Sequence, residues 1–527
     1  MQIRQQQSSR GPHPQIDRPA TPPTPTNYEF NVSTMAADKA KREKAAAQMR
    51  KNRAKLLWAL LPKIPSLLRT LVMHVLGVSE AARYLDLETN MTLTVLRSAV
   101  SDSKPRAIGA TQAMSILDPG VKGKVWISNA VSEVPPERGI REALMTMIKS
   151  LSDSEAQEAG FKVPEIARVE AEWTGYRAGA AQDEPLPDIP EEQKYDALMK
   201  ECKNATTVLY FHGGAYFLCD PSTHRVLAKR LAKATGGRVY SVRYRLAPQH
   251  PFPAALLDAL VSYFTLLHPP PGSMHEAVSP RDIVFGGDSA GGNLTLALTQ
   301  TLLQLRRQNI KIPWFGMKRD VPMPAGLALF SPWVDMVQSF PSWSVNAKWD
   351  YLPAPDHWET SPPPSDAIWP ATPPRKSLYV DDALRLHPLV SLQLNASWAG
   401  TPPVWMCFGW ECLSDEDRYL AAKMRRDGVR VVIEEFEAMP HVFAVVLPKI
   451  AETERCVRGV TRFITATRKE PERIVSSYTY IKAKTLEESE GDAEKLTPYG
   501  EKEVFEMAYS KVGREAPLSP ILAGPKL

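Results

Sequence analysis

Cysteine is scarce in this chain. Cys202, Cys219, Cys407, Cys412 and Cys456 are the only five in 527 residues, an odd set without CxxC spacing. That excludes a disulfide framework and a zinc-ribbon site, so no metal is expected. An intracellular, reducing setting fits such usage, in the cytoplasm or on an internal membrane such as the endoplasmic reticulum. Charge of one sign is scarce too: 64 basic and 59 acidic side chains leave +5. A dedicated nucleic-acid binder carries a larger, clustered basic excess, so no nucleic-acid partner is expected. Glycine, at 28 residues, is not raised. The opening residues MQIRQQQSSRGPHPQIDRPATPPTPT lack the apolar core of a signal peptide. The apolar stretch 56–78 is broken by Pro62, Lys63, Pro65 and Arg69, which makes it a poor membrane span.

What is present is ordinary globular composition, 43% apolar and 23% charged, with proline in excess at 47 residues. The prolines mark the organisation. Residues 1–55 read as a disordered N-terminal region. It ends in a basic stretch carrying Lys39, Lys41, Arg42, Lys44, Arg50, Lys51, Arg53 and Lys55. Residues 56–120 read as a helical cap or a membrane-interface segment. A basic stretch beside an apolar one suits peripheral contact with an anionic membrane through residues 39–78.

From residue 121 the period changes. Strand-like runs at 206–212, 237–244, 282–288, 325–330, 403–409 and 429–436 alternate with helical stretches near 222–235, 253–267, 289–307, 414–427 and 449–467. Two earlier runs, GKVWISNAV and ARVEAEWTGY, also read as strands, and REALMTMIKSL between them as a helix. This order predicts an α/β fold over 121–467, a mostly parallel sheet with helices on both faces. Residues 179–203 read as an acidic surface loop. Residues 331–402 form a long insertion holding Trp333, Trp343, Trp349, Trp358, Trp369 and Trp398, half of all the tryptophans. It also carries the prolines 362–364 and 373–374. Aromatics disfavour disorder, so a partly ordered lid is expected, the alternative being a packed surface excursion. Residues 468–527 read as a charged tail with one short helix near EKEVFEMAYSK.

The sharpest local signal is Gly287-Asp288-Ser289-Ala290-Gly291. A G-x-S-x-G pentapeptide between a strand and a helix holds its serine on a strained turn with the hydroxyl exposed. The helix that starts there aims backbone N–H groups at developing negative charge. The bland alternative is a glycine turn with a spectator serine. Upstream, His212-Gly213-Gly214-Ala215-Tyr216 ends a strand-like run, where free backbone donors could hold an oxyanion. His212 itself reads as structural. His441, in the loop after the last strand-like run, is the candidate base. His224, His250, His268 and His387 read as surface or packing residues. Four carboxylates follow the run PVWMCFG. Glu411 stands directly at the strand end and is the candidate acid, with Asp415 in reserve. Asp415, Glu416 and Asp417 also suit the first turn of the next helix. The order Ser289, Glu411, His441 is the Ser…Asp/Glu…His order of α/β-hydrolases.

Together HGGAY at 212–216, YRLAPQHPFPAALLDAL at 244–260, GGDSAGGN at 286–293, ECLSDED at 411–417 and MPHVF at 439–443 resemble the hormone-sensitive-lipase-like family of α/β-hydrolases. The resemblance spans roughly residues 121–466. It implies an eight-stranded, largely parallel sheet under a cap, and cofactor-free hydrolysis of carboxylic esters, often of short or medium acyl chains. Ser289 would be nucleophile, His441 base and Glu411 acid, where many members carry Asp. The oxyanion donors would be backbone N–H groups of Gly213, Gly214, Ala215 and Ala290. The family motif often reads HGGG, and Ala215 keeps its donor provided its φ is negative. The N-terminal extension and the Trp-rich insertion are similar to fungal and eukaryotic members, some acting on acetylated sterols or secondary metabolites. Amide or thioester hydrolysis on the same triad is the first alternative. A ligand-binding receptor that has lost a triad member is the second, and all three members are present here.

Overall fold

In the central strands consecutive residues are apolar, so both faces need cover. The computed structural model of the chain describes residues 63–100, 105–154, 156 and 161–516. The described residues from 65 onward form one unit. The expected disordered region 1–55 and most of the basic-apolar stretch lie outside the described residues.

Strands β1 (Val125–Ser132), β2 (Val169–Tyr176), β3 (Thr207–Phe211), β4 (Arg238–Arg243) and β5 (Ile283–Asp288) each fall on a predicted run. A small hairpin, β6 (Ile312–Trp314) and β7 (Met317–Arg319), stands apart. Strands β8 (Gly326–Phe330), β9 (Val404–Gly409) and β10 (Val431–Phe436) complete the predicted set, followed by β11 (Ser477–Ile481) and β12 (Glu488–Glu490). The sheet order is β1-β2-β4-β3-β5-β8-β9-β10-β11-β12. Strands β1 and β2 pair antiparallel with their neighbours, β4 through β11 run parallel, and β12 turns back.

Eight of these strands are the expected mostly parallel sheet. The other two correct the reading of the tail. β11 pairs with β10 beyond residue 467, so the sheet does not end where the helical repeat does. Its sequence, SYTYI, is partly buried and too short to stand out. The tail's predicted helix is present at Glu501–Lys511. Residues 179–203 also differ: Glu191–Glu201 is a helix, burying only Tyr195 and Leu198, a stripe too narrow to announce itself.

Residue parity splits the core. Leu209, Phe211, Leu327, Leu329, Met406 and Phe408 face one layer, which includes Leu144 of Gly139–Leu151, Leu256 of Ala254–Leu267 and Leu294 of Ala290–Arg307. Val208, Tyr210, Ala328, Phe330, Trp405 and Cys407 face the other, with Leu227 of Pro221–Thr235 and Val460 of Ala451–Lys469. Each strand thus contributes alternate side chains to opposite faces.

The N-terminal described region is helical: α1 (Ile64–Val75), α2 (Glu80–Tyr84), α3 (Leu87–Val100) and α4 (Ile108–Ser115). The Trp-rich insertion is packed as well as irregular. Trp343, Trp349 and Trp398 are buried, while Trp358 stays exposed. Tyr84 of α2, Trp349 and Trp410 meet edge to face, with ring centroids 5.2–5.5 Å apart.

Candidate active site

β5 ends at Asp288, and the helix Ala290–Arg307 starts two residues later. Ser289 fills the corner with φ 52° and ψ −120°. Such backbone is costly for a non-glycine residue and persists only where surroundings hold it. They do: Ser289 N–H donates to Phe330 O at 3.0 Å, and Ser289 O accepts from Trp333 N–H at 2.9 Å. The flanking glycine is needed for space, because a Cβ on Gly291 would collide with the Phe211 carbonyl.

The structure brings the three candidate residues of the predicted order together. Ser289 Oγ–H donates to His441 Nε2 at 2.8 Å, and His441 Nδ1–H donates to Glu411 Oε1 at 3.2 Å. Glu411 and His441 are buried, while Ser289 is half-buried. Burial alone would depress the His441 pKa. The Glu411 carboxylate outweighs it, with Asp350 and Asp288 adding to the pull, and holds the imidazole above its ordinary value. Burial pushes Glu411 up, against His441 and the Ser331 hydroxyl.

Asp415, the reserve acid, is not brought to His441. Its Oδ2 accepts from Ser342 N–H at 3.1 Å and from the Tyr499 hydroxyl at 3.3 Å. Glu416 is buried, accepting from Val334 N–H at 2.8 Å and Asp335 N–H at 3.0 Å. Asp417 is buried with neither oxygen hydrogen-bonded. Burial and the Glu411 and Glu416 charges push it well above the carboxylate range. Glu416 thus holds the start of the insertion, beyond any helix-start role.

The expected oxyanion donors separate into two groups. Gly213 N–H donates to Asp288 Oδ1 at 3.1 Å, which removes it from the expected set. No hydrogen bond engages the N–H groups of Gly214, Ala215 and Ala290 among the described residues. Ala215 has φ 49°, positive where a negative value was expected, and Gly214 has φ 104°. The turn is therefore left-handed across both residues, and Ala215 keeps its N–H in that strained form.

His212 is structural, as expected. Its Nδ1–H donates to Gly213 O at 2.7 Å, and its ring stacks on Tyr244 with centroids 4.3 Å apart. Burial, with His224 nearby, pushes it down to about 4, so the ring is neutral. His224 is more than packing: Nε2–H donates to Asp288 Oδ2 at 3.2 Å. It sits in the first turn of Pro221–Thr235, which Asp220 caps by accepting from Ser222 N–H. Asp288 also accepts from the Tyr210 hydroxyl at 2.6 Å.

Two residues had no signal in the sequence. Ser331 Oγ–H donates to Glu411 Oε2 at 2.7 Å, while Oγ accepts from Val442 N–H at 3.1 Å. Buried Asp350 accepts from the N–H groups of Cys412 and His441, at 2.8 and 3.3 Å. A serine and an aspartate at a distance in sequence carry no motif. Among the described residues no cluster of His, Cys, Asp and Glu could hold a metal.

Several known proteins are similar to this chain. A family described as alpha/beta hydrolase fold matches residues 208–445. An acetyl-hydrolase of Streptomyces hygroscopicus is 31% identical over 270 residues, covering 50% of this chain and 77% of that protein. An esterase of Acinetobacter venetianus is 29% identical over 260 residues, covering 49% and 74%. Among solved structures, a hormone-sensitive lipase from a metagenome library aligns with 26% identity and a TM-score of 0.48, over 73% of this chain and 99% of that one. With its HGGA and GDSAGG motifs on this framework, the chain belongs to the hormone-sensitive-lipase-like family of α/β-hydrolases.

Proposed function

We propose that the protein cleaves carboxylic esters of apolar alcohols or of short to medium acyl chains, through an acyl-enzyme on Ser289. Carboxylic ester hydrolysis is the class its relatives share. The observation that carries the mechanism is the relay itself, Ser289 to His441 at 2.8 Å and His441 to Glu411 at 3.2 Å. Ser289 Oγ attacks the ester carbonyl as His441 Nε2 takes its proton. Glu411 keeps the other ring nitrogen protonated and stabilises the imidazolium. The unengaged N–H groups of Gly214, Ala215 and Ala290 receive the oxyanion. The alcohol leaves with the proton from His441. Water then gives a proton to His441 as its oxygen attacks the acyl-serine, and His441 passes that proton to Ser289 Oγ as the acid is released.

The test is hydrolysis of a graded p-nitrophenyl ester series by wild type and Ser289→Ala. Loss of turnover in the variant, with an organophosphonate labelling only the wild type, supports the acyl-enzyme. Equal rates for the two proteins overturn it, and amides or thioesters cleaved faster than esters redirect the substrate class.

The same reading includes peripheral contact with an anionic membrane through residues 39–78, of which 39–62 lie outside the described residues. Helix α1 supports it. Thr70 and His74 bond to Thr94 and Asn90 of α3, while Leu68, Val72, Val75 and Leu76 are exposed by 52–69%. No helix among the described residues is long and apolar enough to cross a membrane. An intracellular location, in the cytoplasm or on an internal membrane, goes with this reading. The protein should sediment with phosphatidylserine vesicles at low salt, and less so without residues 1–55. Protein that stays in the supernatant overturns membrane contact.

A further inference from the structure

The acid and the base of the triad sit on different loops, after β9 and after β10. One buried carboxylate ties them together. Asp350 Oδ2 accepts from Cys412 N–H at 2.8 Å, one residue past Glu411, and Oδ1 accepts from His441 N–H at 3.3 Å. Oδ1 also accepts from Tyr351 N–H at 2.7 Å, which fixes the carboxylate on its own backbone.

Asp350 is in turn held from outside. Arg97 of α3 donates its Nε–H to Asp350 O at 2.6 Å and an Nη2–H to Lys348 O. Lys348 pairs with Glu80 of α2 at 2.9 Å. Trp349 packs edge to face on both Tyr84 of α2 and Trp410, the residue before Glu411. Asn346 Nδ2–H donates to Glu411 O at 3.1 Å. Residues 346–351 therefore join the N-terminal helices to both catalytic loops.

We propose that Asp350 is a positioning residue that sets the spacing of Glu411 and His441, and that helix α3 sets Asp350 through Arg97. The N-terminal helices then act on the chemistry through residues 348–350, beyond any covering role. The inference rests on the triad reading above. Its physical basis is geometric: small displacements of a catalytic base are costly, of order a hundredfold for about 1 Å. It is electrostatic as well. The groups facing His441 are Glu411 after β9, Asp288 at the end of β5, Ser289, and Asp350 and Tyr351 of the insertion. A negative Asp350 favours the imidazolium that forms during the reaction.

The test uses full-length protein with Asp350→Asn, Arg97→Lys and Arg97→Ala, read by kcat, KM and the pH profile of kcat/KM. Asp350→Asn should lower kcat by about 10- to 100-fold, the range expected for a hydrogen bond to a charged group, with KM within about a factor of two. It should also move the acidic limb to lower pH, because a carboxylate that raised His441 is gone. A purely structural role would not move that limb. Arg97→Ala should lower kcat in the same sense, and Arg97→Lys should lower it less, since one donor remains. An Asp350→Asn protein with wild-type kcat and limb overturns the positioning role. If that variant fails to fold, Arg97→Ala decides: a fall in kcat at unchanged KM and melting temperature supports the inference, and unchanged kcat overturns it. Failure of the triad reading is separate, since Ser289→Ala would then equal wild type.

Discussion

Ser331 and Glu411 share a buried hydrogen bond of 2.7 Å, so the carboxylate oxygen not facing His441 is occupied. Both carboxylate oxygens are thus assigned, one to the imidazole and one to a hydroxyl that also receives Val442 N–H. Glu411→Gln keeps the shape and removes the charge, so kcat should fall by roughly 10³–10⁴-fold, as for a charged-to-amide change in a related triad. Ser331→Ala should lower kcat by about tenfold, the loss of one hydrogen bond to a charged group. Steady-state kinetics on one ester measures both. Glu411→Gln milder than Ser331→Ala would remove Glu411 as the acid.

Asp415 is the complementary case. Its oxygens face Ser342, Tyr499 and Arg418, away from His441. Asparagine can still accept from Ser342, so Asp415→Asn should leave kcat within about a factor of two and stability within about 1 kcal/mol. A crippled Asp415→Asn enzyme would show that the wrong carboxylate has been assigned.

These two carboxylates show what could be read in advance. Glu411 stood at a strand end beside a cluster of acids, and chain order singled out Ser289 and His441. The eight strands were legible because their apolar runs alternate with helical ones. Ser331 and Asp350 were not, because their partners are backbone N–H groups and side chains from 62 to 111 positions away, with no local pattern to mark them. β11 was hidden for a related reason: a short strand that is mostly half-buried carries little apolar signal. The insertion was recognised by its tryptophans. Its packing, which brings Asp350 to the triad, depends on contacts that only the fold creates.

His224 and Asp288 form a buried pair beneath the nucleophile turn. Burial would lower His224, but Asp288 outweighs it and raises the imidazole above its ordinary value. Burial would raise Asp288, and His224 with Tyr210 instead holds it below the usual range. The signs define a window. The histidine's contribution is fully present below its unfolded value, about 6.5, and is lost as pH rises through the raised folded value. The aspartate's contribution is present above its unfolded value and is lost as pH falls through the depressed folded one. His224→Gln should therefore lower stability most near the acidic side of neutrality, by about 1–3 kcal/mol, the range for hydrogen bonds to charged groups. The deficit should narrow as pH rises. Thermal denaturation across pH measures it, and a deficit independent of pH would remove the charged pair from the account.

The left-handed turn at Gly214 and Ala215 separates backbone shape from donor chemistry. Ala215 has φ 49°, which glycine adopts without strain, and its N–H is unengaged. Ala215→Gly keeps that donor and relaxes the strain, though glycine also gains entropy in the unfolded chain. Stability should change by less than about 1 kcal/mol, and kcat should stay within a few-fold. Gly214 differs because φ 104° is open to glycine but hostile to a side chain. A Cβ there would also strike the Leu218 carbonyl and stand 3.2 Å from Cys219 Cβ. Gly214→Ala must move the turn, and with it the donors, so kcat should fall by about 10²–10³-fold, the measured scale for losing one oxyanion donor. Binding of a neutral substrate analogue should change far less. An active Gly214→Ala enzyme would show that the oxyanion is held elsewhere.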